Sequence, residues 1–262
     1  MQPWDVLAIP SRGRSDRIAR FTLTALREAG CELDNVEVWV RPDQEADYRA
    51  ALVDQPVSIR AESPEVGGVR EVRNAIASGY PVGTRLLVMD DDIRRFVSQD
   101  EGDKRPPDLA GALGYAWLET KRQDIGLFGV YPVANPYFMK RRTRLGLSYI
   151  EGAVYGYVVR GDPCEFVTVD DKEDYERSIG FFLRDRATFR MEWLSFRSNF
   201  YTEPGGMQDY RTDDTIRLGA EALRARYPDL TRPLVRSKGR GQWEVKLRNL
   251  APRYLPAPGG LR

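Results

Sequence analysis

The stretch Arg85-Leu86-Leu87-Val88-Met89-Asp90-Asp91-Asp92-Ile93 decides the reading of the fold. Leu86 to Met89 form a short apolar run of strand length, and three carboxylates follow without a break. A run with no polar alternation reads as a strand buried on both faces, the kind that parallel sheets use. The pattern repeats upstream. Val6 to Ile9 is a first strand, followed by the turn Pro10-Ser11-Arg12-Gly13-Arg14 and a helix capped by Ser15, with Ile18, Phe21, Ala25, Leu26 and Ala29 on one face. Val36 to Val40 is a second strand, and Pro42-Asp43 opens a helix through Tyr48 and Leu52. Val57 to Ala61 is a third strand, and Gly67-Gly68 precede a helix carrying Val69, Val72 and Ile76. Strand–helix alternation of this kind predicts a Rossmann-like, mostly parallel central sheet flanked by helices.

Ligands in such sheets bind beyond the carboxyl ends of the strands. Here those ends carry Ser11, Arg12, Arg14, Arg41, Asp90, Asp91 and Asp92. The second half is less regular. Residues 98 to 108 read as a loop, 109 to 122 as a helix, and 126 to 130 and 153 to 160 as strands with a basic loop between them. Asp170-Asp171 cap a helix through Tyr175, Ile179 and Phe182. Residues 189 to 196 read as one strand, Thr212 caps a helix to about Tyr227, and 243 to 247 form a further strand.

Composition removes many chemistries. The chain of 262 residues contains no histidine, so a Ser-His-Asp triad, a Cys-His pair and His-ligated zinc or haem are excluded. Two cysteines, Cys31 and Cys164, exclude a disulfide scaffold and a cysteine zinc site and suit a reducing compartment. No apolar run approaches the ~18 residues of a membrane span, and Met-Gln-Pro-Trp-Asp does not open a signal peptide. The expectation is a cytoplasmic protein working with carboxylates, arginines and a metal. Its net charge of +1 hides an asymmetry: residues 231 to 262 hold eight basic groups and one acid, a net +7. Arg236, Lys238, Arg240 and Lys246 lie there, and Lys140, Arg141, Arg142 and Arg144 form a second cluster beside Tyr137, Phe138 and Tyr149. Basic patches with aromatics can grip a polyanion even on a neutral chain; a solvated tail and a surface loop are the plainer reading.

Three carboxylates at one point repel each other unless a cation sits among them, and Mg²⁺ or Mn²⁺ takes hard oxygen ligands and bridges to phosphate. The competing reading is an acidic helix N-terminus before Ile93, but one Asp suffices for a cap. Arg70, Arg73 and Asn74 lie on the helix before the triple aspartate, and arginine matches phosphate bidentately. With Arg12 and Arg14 they describe a metal–nucleotide-diphosphate site. Glu173-Asp174 opens a later helix, where a carboxylate serves as general base, orients a sugar hydroxyl, or only pairs with the helix dipole.

This order resembles the GT-A fold glycosyltransferases. The triple aspartate is similar to their Asp-x-Asp motif, Arg73-Asn74 to the Arg-Asn pair before it, and Glu173-Asp174 to their x-Glu-Asp motif. The segments Ile9-Pro10-Ser11-Arg12-Gly13-Arg14, Met89 to Ile93, Gly205-Gly206-Met207-Gln208 and Gly241-Gln242-Trp243-Glu244-Val245 look like the TET-associated glycosyltransferases of bacteriophages. The resemblance implies a GT-A domain over residues 1–230, with a nucleotide-sugar half (1–95) and an acceptor half (96–230), and a basic extension over 231–262. It implies transfer from a UDP-sugar to 5-hydroxymethylcytosine, or a related hydroxymethylpyrimidine, in the DNA of a phage-infected bacterial host. Asp90 and Asp92 would hold Mn²⁺ or Mg²⁺, and Pro10, Ser11, Arg12, Arg14, Arg41, Arg70, Arg73, Asn74, Asp90 and Asp91 the donor. Asp174 would act as base beside Glu173. Many members bring a late histidine to the metal; here an acid, an amide such as Gln208, or water takes that place. The basic tail and the Lys140 to Arg144 cluster would contact DNA phosphates, and Tyr155, Tyr157, Trp193 and Tyr201 are candidates for stacking an extruded base, though core packing is the favoured reading for most of them. The rivals are a glycosyltransferase for a small, lipid-linked or polysaccharide acceptor, a nucleotidyltransferase, and a non-enzymatic nucleic-acid-binding module.

Overall fold

The structure, a computed structural model, describes residues 2–61, 68–100, 105–198, 212–234 and 244–259. The chain is mixed α/β, a nine-stranded sheet flanked by helices. Its first half follows the apolar runs: β1 (Val6–Pro10), β2 (Val36–Val40), β3 (Ser58–Ala61) and β4 (Arg85–Met89) are parallel neighbours in the order β4-β1-β2-β3. β1 and β4 sit centrally, and Leu7, Ala8, Ile9 and Leu86 to Met89 are fully buried, as their uninterrupted apolar character requires.

Beyond β4 the strands change sense. β4 pairs antiparallel with β8 (Val154–Val158), and the order continues through β6 (Leu127–Val130), β9 (Thr188–Met191), β7 (Arg142–Gly146) and β13 (Arg253–Pro256). Only β6 and β9 are parallel in this half. One face of the sheet is covered by α1 (Ser15–Ile18), α2 (Thr24–Glu28), α3 (Glu45–Ala51) and α5 (Leu109–Gln123), whose apolar residues share a cluster with Leu7, Ile9, Leu87, Met89, Phe128 and Phe189. The other face packs α4 (Val69–Ser78) through Ile76 and α6 (Glu173–Asp185) through Phe181 against Ala8, Leu86, Val88, Leu127 and Tyr155. Each such buried aliphatic or aromatic side chain contributes about 1.5–3 kcal/mol.

Several elements depart from the sequence reading. Ile93 opens β5 (Ile93–Ser98), which removes the competing reading of the three aspartates as helix caps: they form the turn between two strands. The segment 189 to 196 is two strands, with β10 (Leu194–Ser198) leaving the main sheet to pair with β5 after a turn at Glu192-Trp193 that holds no Gly, Pro or Asn. The expected basic loop is in part β7, where Thr143 and Leu145 point inward and Arg142 and Arg144 outward. Arg14, not Ser15, is the first N-cap and has no side-chain cap bond. Helix α6 is preceded by Lys172 at φ 72°, not capped by Asp170 or Asp171; the Thr212 cap of α7 (Asp213–Arg226) is present.

The C-terminal basic segment is built into the fold. β11 (Thr231–Leu234) pairs with β12 (Glu244–Leu247), and β12 buries Val245 among Leu147, Ile179 and Leu223, while β13 completes one sheet edge beside β7. Gly205 to Gln208, Tyr201, Arg236, Lys238, Arg240 and Gly241 to Trp243 lie outside the described residues.

Candidate active site

The acid turn is held from three sides. A π-helical turn, Ala19–Leu23, links α1 to α2, and Thr22 within it is fully buried. Thr22 Oγ1 donates to the Asp90 carbonyl at 2.8 Å and accepts from the Ile93 amide at 3.0 Å, fixing both ends of the turn. Ser11 Oγ and Arg14 Nη1 donate to the two oxygens of Asp91, at 2.5 and 2.7 Å, and Tyr48 OH lies 2.6 Å from Ser11 Oγ and accepts from the Arg14 amide. Asp91 is thus locked to the loop after β1, and burial raises its carboxyl above the ordinary value even with Arg14 and Ser11 pulling the other way. Arg14 also reaches Asp92 at 3.4 Å. Burial disfavours the Arg14 charge, but Asp91, then Asp92 and Asp90, outweigh it and raise the guanidinium.

Asp90 and Asp92 face the second half of the chain. Asp90 Oδ1 accepts from Arg73 Nη2 at 2.6 Å, and the same nitrogen donates to the Gly152 carbonyl at 2.9 Å. Arg73 is buried; that opposes its charge, but Tyr155, Asp90 and Glu173 outweigh the penalty and hold it above its ordinary range. Asp92 accepts from Ser198 Oγ at 2.7 Å; burial, then Asp90 and Asp91, raise its carboxyl to about 6.

The strand register carries this turn to the helix α6 acids. Met89 pairs with Val154, and the Asp90 amide donates to the Ala153 carbonyl, so Glu151 and Gly152 lie beside the aspartates. Gly152 sits in close quarters: a Cβ there would lie 3.1 Å from Glu173 Oε1, 3.5 Å from Arg73 Nη2 and 3.7 Å from Asp174 Cβ, so a side chain would meet all three groups. Glu173 is buried, and burial with Asp174 raises its carboxyl to about 7 against the pull of Arg177 and Arg73. Asp174 is half-buried; its Oδ2 accepts from Tyr149 OH at 2.5 Å and its Oδ1 from the Tyr175 amide at 2.9 Å.

Sequence reasoning missed Glu151, Tyr149 and Arg177. Burial, then Asp174, Asp90 and Asp92, push the Glu151 carboxyl well above its ordinary value, and its Oε2 is buried with no hydrogen-bond partner among the described residues. The available signal was Glu151-Gly152 at the entry to the strand read over 153 to 160, since an antiparallel strand beside β4 must begin where β4 ends. Arg177, one turn after Glu173, is 2% exposed and stacks 4.0 Å from the Tyr155 ring centroid.

Other predicted residues stand elsewhere. Asn74 spends both ends of its amide on the Val167 backbone, at 2.8 and 2.9 Å, and so tethers a loop. Arg70 pairs with Glu71 and lies 3.6 Å from Asp170. Arg41 donates to Asp43 at 3.0 Å on the surface, and Arg12 lies close enough to influence the same carboxylate. Pro10 ends β1 opposite Trp39. Tyr155, Tyr157 and Trp193 are buried core residues, the packing role favoured for most of these aromatics, and none is placed to stack a base.

Asp90 and Asp92 offer hard carboxylate oxygens of the kind a divalent cation takes, and the nearby Glu151 keeps a buried Oε2 with no hydrogen-bond partner among the described residues. Among the described residues no three acidic or cysteine side chains converge as a ligand set, and Arg14 and Arg73 supply the counter-charge. No helix of the described residues is long and apolar enough to cross a membrane.

No family model and no curated protein sequence matches the chain. Among solved structures it is similar to S. aureus TarS 1–349, at 12% identity over 84% of this chain and 65% of that one, with a TM-score of 0.49. It is similar to the mannosyltransferase PcManGT from Pyrobaculum calidifontis in complex with GDP-Man and Mn²⁺, at 14% identity, 68% and 54% coverage and a TM-score of 0.44. A third likeness is to an apo UDP-glucose pyrophosphorylase, at 9% identity, 75% and 92% coverage and a TM-score of 0.43. The chain spans 65% and 54% of the lengths of the first two, and the likeness to all three is a loose one of shape.

Proposed function

We propose that the protein is a metal-dependent glycosyltransferase that moves a sugar from a UDP-sugar to 5-hydroxymethylcytosine, or a related hydroxymethylpyrimidine, in DNA. The observation that carries this reading is the approach of two acid groups from opposite halves of the chain: Asp90 and Asp92 after β4, and Glu173 and Asp174 at the start of α6, with Glu151 and Gly152 between them. A helix-capping role does not account for the aspartates, since they lie between strands.

In this reading Asp90 and Asp92 hold Mn²⁺ or Mg²⁺, which would offset the charge of the donor diphosphate as it leaves. Arg14 and the loop after β1 bind the donor, while the locked Asp91 keeps that loop in register with the acid turn. Asp174 takes the proton from the acceptor hydroxyl as that oxygen attacks the anomeric carbon and the bond to the diphosphate breaks. A carboxylate base of this kind is worth roughly 10²–10⁴ in rate. Asp174 suits that step better than Glu173 because it is half-buried, whereas Glu173 lies behind Gly152 against two buried arginines. Tyr149 positions Asp174.

The test is UDP release from a panel of UDP-sugars in the presence of Mn²⁺, with hydroxymethylcytosine DNA compared with unmodified DNA. Release stimulated by the modified DNA alone supports the reading. Release without regard to the DNA points to a small acceptor.

A further inference from the structure

Away from the acid cluster, β7 and β9 carry three arginines. Arg144 on β7 stands opposite Arg190 on β9, and Arg142 lies two residues along β7 on the same face. The intervening Leu145, Phe189 and Met191 point into the cluster with α5, so the three guanidiniums emerge on the opposite face, the one that α6 covers. Two of them share one carboxylate: Arg142 Nε meets Glu192 Oε2 at 2.7 Å and Arg190 Nη2 meets Oε1 at 2.8 Å. Arg144 is bonded to neutral oxygens instead, those of Ser148, Asn249 and Tyr254. Among the described residues, the ion pairs of these three arginines all fall on Glu192. Burial, then the Arg190 charge, lowers Arg144 from its ordinary value. Arg190 Nε is buried with no hydrogen-bond partner among the described residues. Holding Glu192 needs one arginine, and the geometry brings three guanidiniums together around it.

We propose that Arg142, Arg144 and Arg190 form a phosphate-binding cradle that takes a phosphate group of the acceptor. Guanidinium forks match phosphate oxygens, and these are held in advance: Arg142 stacks 3.9 Å from the Tyr254 ring centroid, and Arg190 spans Glu192 and the Tyr149 carbonyl. Arg142 and Tyr254 keep 42% exposure each, so the cradle opens to solvent. Tyr149 joins it to the acids, since its carbonyl accepts from Arg190 and its hydroxyl donates to Asp174. A phosphate seated here would hold the acceptor one residue away from the candidate base. The cradle deepens the acceptor half of the proposed function and rests on it.

The experiment measures binding of a short labelled single-stranded oligonucleotide, and of inorganic phosphate as competitor, to the full chain and to Arg144→Gln, Arg190→Gln and Arg142→Gln. The expected result is weakening of the oligonucleotide by about tenfold for Arg144→Gln and Arg190→Gln, with a salt slope shallower by about 0.7 per lost contact. UDP binding should stay unchanged, so failure of the cradle and failure of the donor site are read separately. Phosphate binding that is lost in the variants, without oligonucleotide binding, keeps the cradle and assigns it to a small phosphorylated acceptor. Circular dichroism identifies any variant that does not fold, and Arg142→Gln, at the exposed rim, supplies the comparison if Arg190→Gln fails. Wild-type affinities in folded variants, or no binding of either probe to the full chain, would overturn the proposal.

Discussion

Tyr149 donates a 2.5 Å hydrogen bond to Oδ2 of Asp174, and this bond ties the segment before β8 to the first turn of α6. Its ring stacks on Tyr175 at 4.2 Å, so the phenol is fixed from two directions. Burial, then Asp174 and Glu151, push the phenol well above its ordinary value, which keeps it a donor across the working pH range. Replacing Tyr149 by Phe should lower kcat by about tenfold while leaving KM for the donor unchanged, the loss expected for one positioning hydrogen bond. Steady-state kinetics checks this, and an unchanged kcat would remove Tyr149 from the mechanism.

Asp174→Asn keeps the shape of the side chain and removes the base. Turnover should fall by roughly 10²–10⁴ with donor affinity near wild type. Loss of donor affinity instead would make Asp174 a sugar-binding residue, and undiminished turnover would point to a mechanism in which the leaving phosphate takes the proton.

Glu173 sets a pH dependence of stability. Its carboxyl is raised from 4.5 to about 7 in the fold, so the folded state prefers the protonated form. The sign follows: the cost of ionising it is absent below about 4.5, grows as pH rises through the window to 7, and is complete above it. Glu173→Gln should therefore be more stable than wild type at pH 8, on the order of 2 kcal/mol, with the gain vanishing toward pH 4. Urea unfolding at both pH values measures it. A variant less stable at pH 8 would mean that Arg73 and Arg177 need the carboxylate more than its burial costs.

The four parallel strands were legible because β1 and β4 are unbroken apolar runs, as in Leu86 to Met89, and the more polar β2 and β3 are bounded by turn residues. The position of Asp90, Asp92, Glu173 and Asp174 at the ends of elements was legible for the same reason. The meeting of the two groups was not, because it depends on β8 pairing antiparallel with β4, and that pairing leaves no local mark except Glu151-Gly152. Arg142 and Arg144 read as loop cations because charge outweighed the alternation supplied by Thr143 and Leu145. Arg70 and Asn74 share a helix with Arg73, yet only Arg73 reaches the aspartates, because Arg70 is taken by Glu71 and the Thr168 carbonyl and Asn74 by the Val167 backbone, partners that no local pattern announces.

The last thirty residues should prove structural as well as basic. Val245 is 2% exposed among Leu147, Ile179 and Leu223, and β13 covers the edge of β7. Val245→Ala should cost about 1–3 kcal/mol. Truncation after residue 230 should lower the thermal midpoint well beyond that variant. A truncated chain that melts like the full one would show that the C-terminal strands contribute only charge.

The most direct measurement of the central claim is nucleoside mass spectrometry of hydroxymethylcytosine DNA after incubation with the protein, Mn²⁺ and a panel of UDP-sugars, with Asp92→Asn and EDTA in parallel. The account predicts a hydroxymethylcytosine nucleoside heavier by one sugar for at least one donor, abolished by Asp92→Asn and by EDTA. Unmodified nucleosides with every donor, or full transfer in EDTA, would contradict it.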